Sequence, residues 1–292
     1  MLTILFDGIA YGMLLFILAV GLSVTMGLMN FINLAHGAFA MAGGYATVIL
    51  MQRWDVPFLL CLPLAFLIAA ALGAVLERTL YRPLYHRPHL DHVLFSIGLT
   101  FMAVAAMDWF MGSTQQFIQL PAWLKGRTEL GSGAWTLGMG HYRLFIIAVC
   151  AALTVALQYI LSSTRFGSRL RAAVDDQRVA AGLGINVNLV FLATFAFGSG
   201  LAGLGGALGA EVLGLDPTFP LKFMIYFLIV VAVGGTSSIT GPLLAALLLG
   251  IADVAGKYYI PKMGAFIVYA LMIVILIWRP QGLFVRTGGK AA

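Results

Sequence analysis

"GIAYGMLLFILAVGLSVTMGLMNFINLAHGAFAMAGGYATVILMQ", Gly8 to Gln52, runs for 45 residues without a Lys, Arg, Asp or Glu. A bilayer-spanning helix needs about 20 predominantly apolar residues, so this stretch is long enough for two crossings. Three further runs behave alike: Leu144 to Thr164 has 21 uncharged residues, Val179 to Ala210 has 32 and Phe223 to Ala252 has 30. Such runs would be insoluble on a water-facing surface, and they are too numerous for one buried core. The chain is 61% hydrophobic and 10% charged, against about 45–50% and 25% in ordinary soluble domains. These features predict an all-α, polytopic transmembrane helical bundle of about 8–9 membrane segments, some short or broken, forming a single domain over 1–292.

Met1 to Tyr11 holds one acid, Asp7, and no basic residue. It therefore lacks the basic n-region of a cleaved signal peptide, and Gly8 onward reads as a permanent span. Cys61 and Cys150 both fall inside apolar runs, where cysteine behaves as a small buried hydrophobe; neither a disulfide nor a CxxC metal pair is indicated. The net charge is +6, yet no basic stripe with interleaved aromatics marks a nucleic-acid surface.

The excess charge sorts by side instead. Cytoplasmic loops are enriched in Lys and Arg. Glu77 to His92, Arg165 to Arg178 and the tail from Arg279 together hold 10 of the 17 basic residues and 4 of the 11 acids, so the whole +6 lies on one side. Placing those segments inside sets the direction of the spans between them. Pro57–Leu76 runs inward, Val93–Met111 outward, Leu144–Thr164 inward, Leu189–Ala210 outward and Met263–Trp278 inward, with the N-terminus outside.

This sorting exposes two broken elements. Glu211 to Lys222 and Lys257 to Lys262 must both be outside, so the chain between them leaves the outer face and returns within about 30 residues, where two full spans need about 40. "VGGTSSITGPL", Val233 to Leu243, supplies the turn, predicting two short helices or a re-entrant pair. "NFINLAHG", Asn30 to Gly37, interrupts the opening run in the same way. Irregular backbone at membrane depth survives only when buried in protein or lining a wet cavity, and in transporters it marks the substrate route. An irregular connection at the membrane surface is the plainer alternative.

Several apparent motifs carry no chemistry. "GSGLAG", Gly198 to Gly203, fits GxGxxG, but a dinucleotide site needs a strand before it and a βαβ unit around it. The ridge Gly198, Ala202, Gly206, Ala210, with Gly205 and Gly209 beside it, is better read as a close helix-packing surface, its partner within the chain or on another subunit. His86, His89 and His92 are spaced by three, but Pro88 interrupts any helix that would align them for zinc. There is no GxxxxGK[ST] phosphate loop, so the chain does not hydrolyse ATP itself, and no nucleophile–base pair points to an enzyme.

Arg165 to Asn186, "RFGSRLRAAVDDQRVAAGLGIN", holds 6 of the 28 charged residues in its first 14 positions. Its alanines favour helix, and Gly182 and Gly184 are natural terminators, so a short cytoplasmic surface helix followed by a turn is expected. A helix of this kind suits docking into a groove on a soluble partner; equally, it can be a solvated loop whose charges obey the positive-inside rule.

Within it, "RAAVDDQRVAAGLGIN" (Arg171 to Asn186) closely resembles the cytoplasmic coupling loop of the branched-chain amino acid (Liv-type) permeases of bacterial ABC importers. "INLAHGAFAMAGGY" (Ile32 to Tyr45), "GGTSSITGPLLAALLLGIAD" (Gly234 to Asp253) and "RPQGLF" (Arg279 to Phe284) resemble further motifs of that family, in the family's order. Asp253 stands where the family usually has Glu, Thr236 where it often has Gly and Pro242 where it often has Ala.

The resemblance implies a multi-pass protein of the bacterial inner membrane that works with a second permease subunit (a paralogue or a copy), two cytoplasmic ATPase subunits and a soluble substrate-binding protein. No cofactor is implied for this chain, ATP being used by the partners. The coupling loop would span 163–188, with Arg171, Ala172, Asp175, Ala180, Gly184, Ile185 and Asn186 facing the ATPase. Asn30, Asn33, His36, Thr236, Ser237 and Ser238 are the candidates for lining the path. Liv-like permeases also carry urea, short amides and aromatic acids, which remain alternatives to branched-chain amino acids. An ion-coupled secondary transporter would need a buried carboxylate, for which only Asp108 and Asp253 come near, both toward predicted outer ends. A passive channel would conduct alone.

Overall fold

The computed structural model describes residues 1–29, 31–85, 87–130, 137–235, 238–279 and 282–283. Helices dominate: α1 (Leu2–Met29), α2 (His36–Trp54), α3 (Phe58–Leu76), α4 (His89–Met111), α5 (His141–Ser163), α6 (Arg165–Asp175), α7 (Gln177–Gly182), α8 (Val187–Leu213), α9 (Phe219–Gly234), α10 (Thr240–Tyr259) and α11 (Gly264–Trp278). Six of these elements are long and apolar enough to cross a membrane, and α9 and α11 are shorter apolar helices. With α2 they give the predicted number of segments. Among the described residues, the two strands that depart from the all-α reading lie between α4 and α5, where β1 (Arg127–Leu130) pairs antiparallel with β2 (Leu137–Gly140) to form a small hairpin.

α5 fixes the two faces. About 34 Å long at 1.5 Å per residue, it joins β2 at one end to α6 at the other. At its β2 end, Arg143 pairs with Asp7 of α1, and Gly138 N–H donates to Thr3 Oγ1 at 3.0 Å. The N-terminus of α1 therefore lies on the face opposite α6–α7, as the charge pattern requires.

The centre is assembled through small residues. A Cβ added at Gly198 of α8 would lie 3.3 Å from the Gly21 backbone of α1, and one added at Gly206 would collide with the Ala40 carbonyl of α2. On the other side of α1, a Cβ at Gly12 would come within 2.7 Å of the Ala246 carbonyl of α10. Backbones approach this closely only where side chains are absent. The ridge read from "GSGLAG" is thus an intrachain seam, with α1, α2 and α3 as its partners.

Both expected breaks are present. α9, at 16 residues, is about 24 Å long, short of the ~30 Å hydrocarbon core. It ends at Gly235 (φ 78°), whose N–H returns to Val231. The tail seals this end: Leu283 N–H donates to the Val233 carbonyl at 2.8 Å, and Gly282 (φ 93°) sits against Gly235. The other break separates Met29 from His36.

Candidate functional site

On the face opposite the start of α1, the expected single helix is two. Thr164 caps α6, its Oγ1 accepting from Gly167 N–H at 3.4 Å. Gly167, Leu170 and Ala173 turn inward and are buried, while Arg165, Arg169, Arg171 and Asp175 face outward. Arg171 also folds back to donate to the Leu161 carbonyl, binding α6 to the end of α5. The split falls at Asp176, which leaves the helical conformation and caps α7, its Oδ1 accepting from Arg178 N–H at 2.8 Å and Val179 N–H at 3.0 Å.

"GLGIN" then forms a complete helix stop. Gly184 has φ 81°, its N–H returns to Ala181 at 3.0 Å, and Ile185 N–H returns to Ala180 at 3.1 Å. This is a Schellman motif, whose left-handed residue is usually glycine. Asn186 starts the next element: its Oδ1 accepts from Leu189 N–H at 3.0 Å, capping α8.

This geometry sorts the seven predicted coupling residues. Arg171, Asp175, Gly184 and Asn186 are exposed, and Ala172 and Ile185 are half-buried. Ala180 is not presented to a partner; it is buried, because α7 lies down on the bundle along that side. Asn186 and Gly184 shape the turn that positions α7. The residues that sequence reasoning passed over are Val179 and Leu183, 59% and 76% exposed. They stand four apart, hence on one face, and are apolar groups in a water-facing element. Their i, i+4 spacing was legible; that they point away from the bundle was not.

The described residues of the first break are packed rather than open. Asn33 is 1% exposed, its Oδ1 accepting from Ala35 N–H at 3.1 Å and from the Tyr81 hydroxyl at 3.0 Å, while its Nδ2 is buried with no partner among the described residues. His36 is 2% exposed; its Nε2–H donates to the Leu18 carbonyl at 3.0 Å, and its ring meets Phe227 of α9 edge-on at 6.4 Å. Those two residues therefore hold the broken segment against α1, α9 and the helical turn that follows α3. Ser238 Oγ accepts from Gly241 N–H at 3.2 Å at the start of α10 and is half-buried. Asn30, Thr236 and Ser237 lie outside the described residues, as does His86. His92 turns inward, stacks on Phe31 at 4.2 Å and donates from Nε2 to the Leu84 carbonyl at 2.8 Å.

Of the two carboxylates weighed for ion coupling, Asp253 is buried but already paired, with Lys257 Nζ at 2.6 Å and the Tyr226 hydroxyl at 3.4 Å. Asp108, at the end of α4, accepts from the Ser113 hydroxyl.

The family model described as "Branched-chain amino acid transport system / permease component" matches residues 4–276. The chain is 28% identical to the high-affinity branched-chain amino acid transport system permease protein LivH of Escherichia coli K12, over 97% of this chain and 94% of that protein. It is 27% identical to BraD of Pseudomonas aeruginosa, over 97% and 95%, and 25% identical to LivM of Escherichia coli K12, over 94% and 68%. No solved structure matches significantly. A match that runs from α1 into α11, and so takes in both breaks and the inner helix pair, leaves one conclusion: this chain belongs to the branched-chain amino acid transport permease family.

Proposed function

We propose that this chain is one of two permease subunits of an inner-membrane importer, that it carries branched-chain amino acids, and that cytoplasmic ATPases drive it by gripping α6–α7. The observation that carries the reading is the exposed α6–α7 pair, held between two spanning helices by three consecutive caps. Thr164, Asp176 and Asn186 each tie a turn to a helix start, and the Schellman stop at Gly184 leaves little slack between α7 and α8. A partner moving α7 therefore moves α5 and α8 with it, and through the glycine seam α1 and α2. Such rigid-body motion is a known way to switch access between two faces.

Val179 and Leu183 supply the apolar part of the grip, and Arg169, Arg171, Asp175 and Arg178 a charged rim, the composition expected of a docking surface. ATP is used by the partners, and a soluble binding protein delivers the substrate to the outer face. Branched-chain amino acids are favoured over urea, short amides or aromatic acids because LivH and BraD carry that description over almost their full length.

The test is reconstitution of the chain with its second permease and ATPases in proteoliposomes. ATP-dependent accumulation of leucine, abolished when the binding protein is omitted, is the expected result. Uptake driven by an ion gradient without ATP, or conduction by this chain alone, would overturn the reading.

A further inference from the structure

On the face opposite α6–α7, the start of α1, the start of α5, the hairpin and the end of α8 enclose a cavity of about 480 Å³. Its charged lining consists of Asp7, Lys125, Arg127, Arg143 and Glu211. A smaller recess of about 100 Å³ shares Asp7, Arg143 and Val212 with it. Ala10, Leu14, Ile146 and Val254 make its wall largely aliphatic, with the Tyr11 side chain beside them. A charged chamber and an apolar pocket thus meet at one ion pair.

The chamber's charges are incompletely used. Arg127 lies 3.6 Å from Glu129. Among the described residues, Arg143 engages only Oδ2 of Asp7. The Asp7 side chain is 19% exposed, and its Oδ1 is buried with no hydrogen-bond partner among the described residues. That oxygen is closed off from the chamber as well as from donors, so what Asp7 offers a ligand is the exposed remainder of its side chain. Asp7 and Glu211 then form an anionic end, Arg143 and Lys125 a cationic end, and the recess offers about the space of three water molecules to a short aliphatic group.

We propose that this chamber is an outer-face holding site for a free α-amino acid with a branched side chain. Its ammonium group meets Asp7 and Glu211, its carboxylate meets Arg143 and Lys125, and its side chain enters the recess between α1, α5 and α10. The site lies within one subunit, away from both membrane breaks, and receives substrate before the path does. The proposal rests on the substrate class given under Proposed function. Phosphatidylethanolamine headgroups share the ammonium–anion chemistry, but the recess has no room for acyl chains.

The experiment uses the full-length chain in nanodiscs of phosphatidylcholine, whose choline cannot donate a hydrogen bond, titrated with radiolabelled L-leucine. Saturable binding is expected, weakened at least about tenfold for isocaproate, which lacks the ammonium, and for isoamylamine, which lacks the carboxylate. Asp7→Asn should cost a similar factor. Because that change also weakens the pair with Arg143, Val254→Phe is the second variant: it fills the recess and should lower leucine affinity about tenfold while leaving glycine affinity within about twofold.

Leucine affinity unchanged in both variants, isocaproate binding as well as leucine, or no leucine binding at all would each overturn the site. So would phosphatidylethanolamine discs that abolish binding, since the lipid headgroup would then be the occupant. ATP-driven leucine uptake by the assembled transporter is read separately. Normal uptake with an unaltered chamber phenotype removes the holding site and leaves the transport reading intact, whereas absent uptake removes the transport reading itself.

Discussion

Asp175 and Asp176 are adjacent, chemically identical and structurally unlike. Asp176 holds two N–H groups at the start of α7, whereas Asp175 closes α6 with its side chain exposed. Loss of an N-cap costs about 1 kcal/mol. Asp176→Ala is therefore expected to loosen α7, seen as faster amide exchange at Arg178 and Val179, while Asp175→Ala leaves exchange unchanged and alters only the affinity for the ATPase. Equal exchange in the two variants would refute this division. The sequence made the cassette visible but not the division, because either acid satisfies the spacing of a cap and only the fold turns one of them. Outside the membrane, Asp216 gives a pH test. Burial works to raise its pKa, but hydrogen bonds from Lys222 and Thr218 outweigh that and hold the carboxyl below its usual value. With the folded pKa depressed, the stabilisation is present above the unfolded value of about 3.9 and is lost as pH falls through the folded one. Below about pH 4 the turn from Gly214 to Thr218 should open, with faster exchange at Thr218 and Phe219, and Asp216→Asn should show no such transition.

At the scale of elements, the α6–α7 pair and the α9–α10 turn differ in how far the sequence exposed them. The turn followed from two lysines, Lys222 and Lys257, that must share the outer side, and from the glycines between them. Its closure by the tail did not, since nothing in "RPQGLF" says that Leu283 N–H will satisfy the Val233 carbonyl. An unpaired carbonyl at that depth is costly, which gives the closing glycine its purpose: at φ 93°, Gly282 brings the chain against Gly235 where a Cβ would stand 2.9 Å from the Gly235 nitrogen. For α7, the exposed Leu183 makes a quantitative prediction. Burying a leucine side chain contributes about 1.5–3 kcal/mol, so Leu183→Asp is expected to weaken ATPase binding by about 2 kcal/mol, roughly thirtyfold in Kd. Ala180→Ser, buried where α7 rests on the bundle, should leave that affinity unchanged and register instead in the melting temperature. Titration of detergent-solubilised permease with the isolated ATPase separates the two, and a greater loss of affinity from Ala180→Ser would place the interface on the wrong face.

For the whole molecule, the proposed handle at α6–α7 would act through the division between a close-packed centre and an exposed periphery. The centre is α1, α2, α8 and α10, joined through Gly12, Gly21, Gly43, Gly206 and Gly250, each with a neighbouring backbone where a Cβ would stand. The periphery is α3, α4 and α5, whose outer sides are largely exposed. Charge ordered these layers in the sequence, since the basic segments Glu77 to His92 and Arg165 to Arg178 fall on one face, but which glycines form the seam depended on crossing points that no single helix contains. Two glycine variants distinguish seam from periphery. Gly206→Leu drives a side chain into the Ala40 carbonyl, an overpacking cost of about 3 kcal/mol that α2 cannot relieve, because it is held from behind by Pro220 against Gly37. Gly98→Leu, on α4 with nothing within 4 Å of the added Cβ, trades a poor helix former for a good one. The first is expected to lower the melting temperature in detergent and to abolish leucine uptake even with α6–α7 intact, and the second to leave both unchanged or slightly raise the melting temperature. If Gly206→Leu transports normally, α2 and α8 do not move as one body, and force applied at α7 has no route through this seam to the segment around His36.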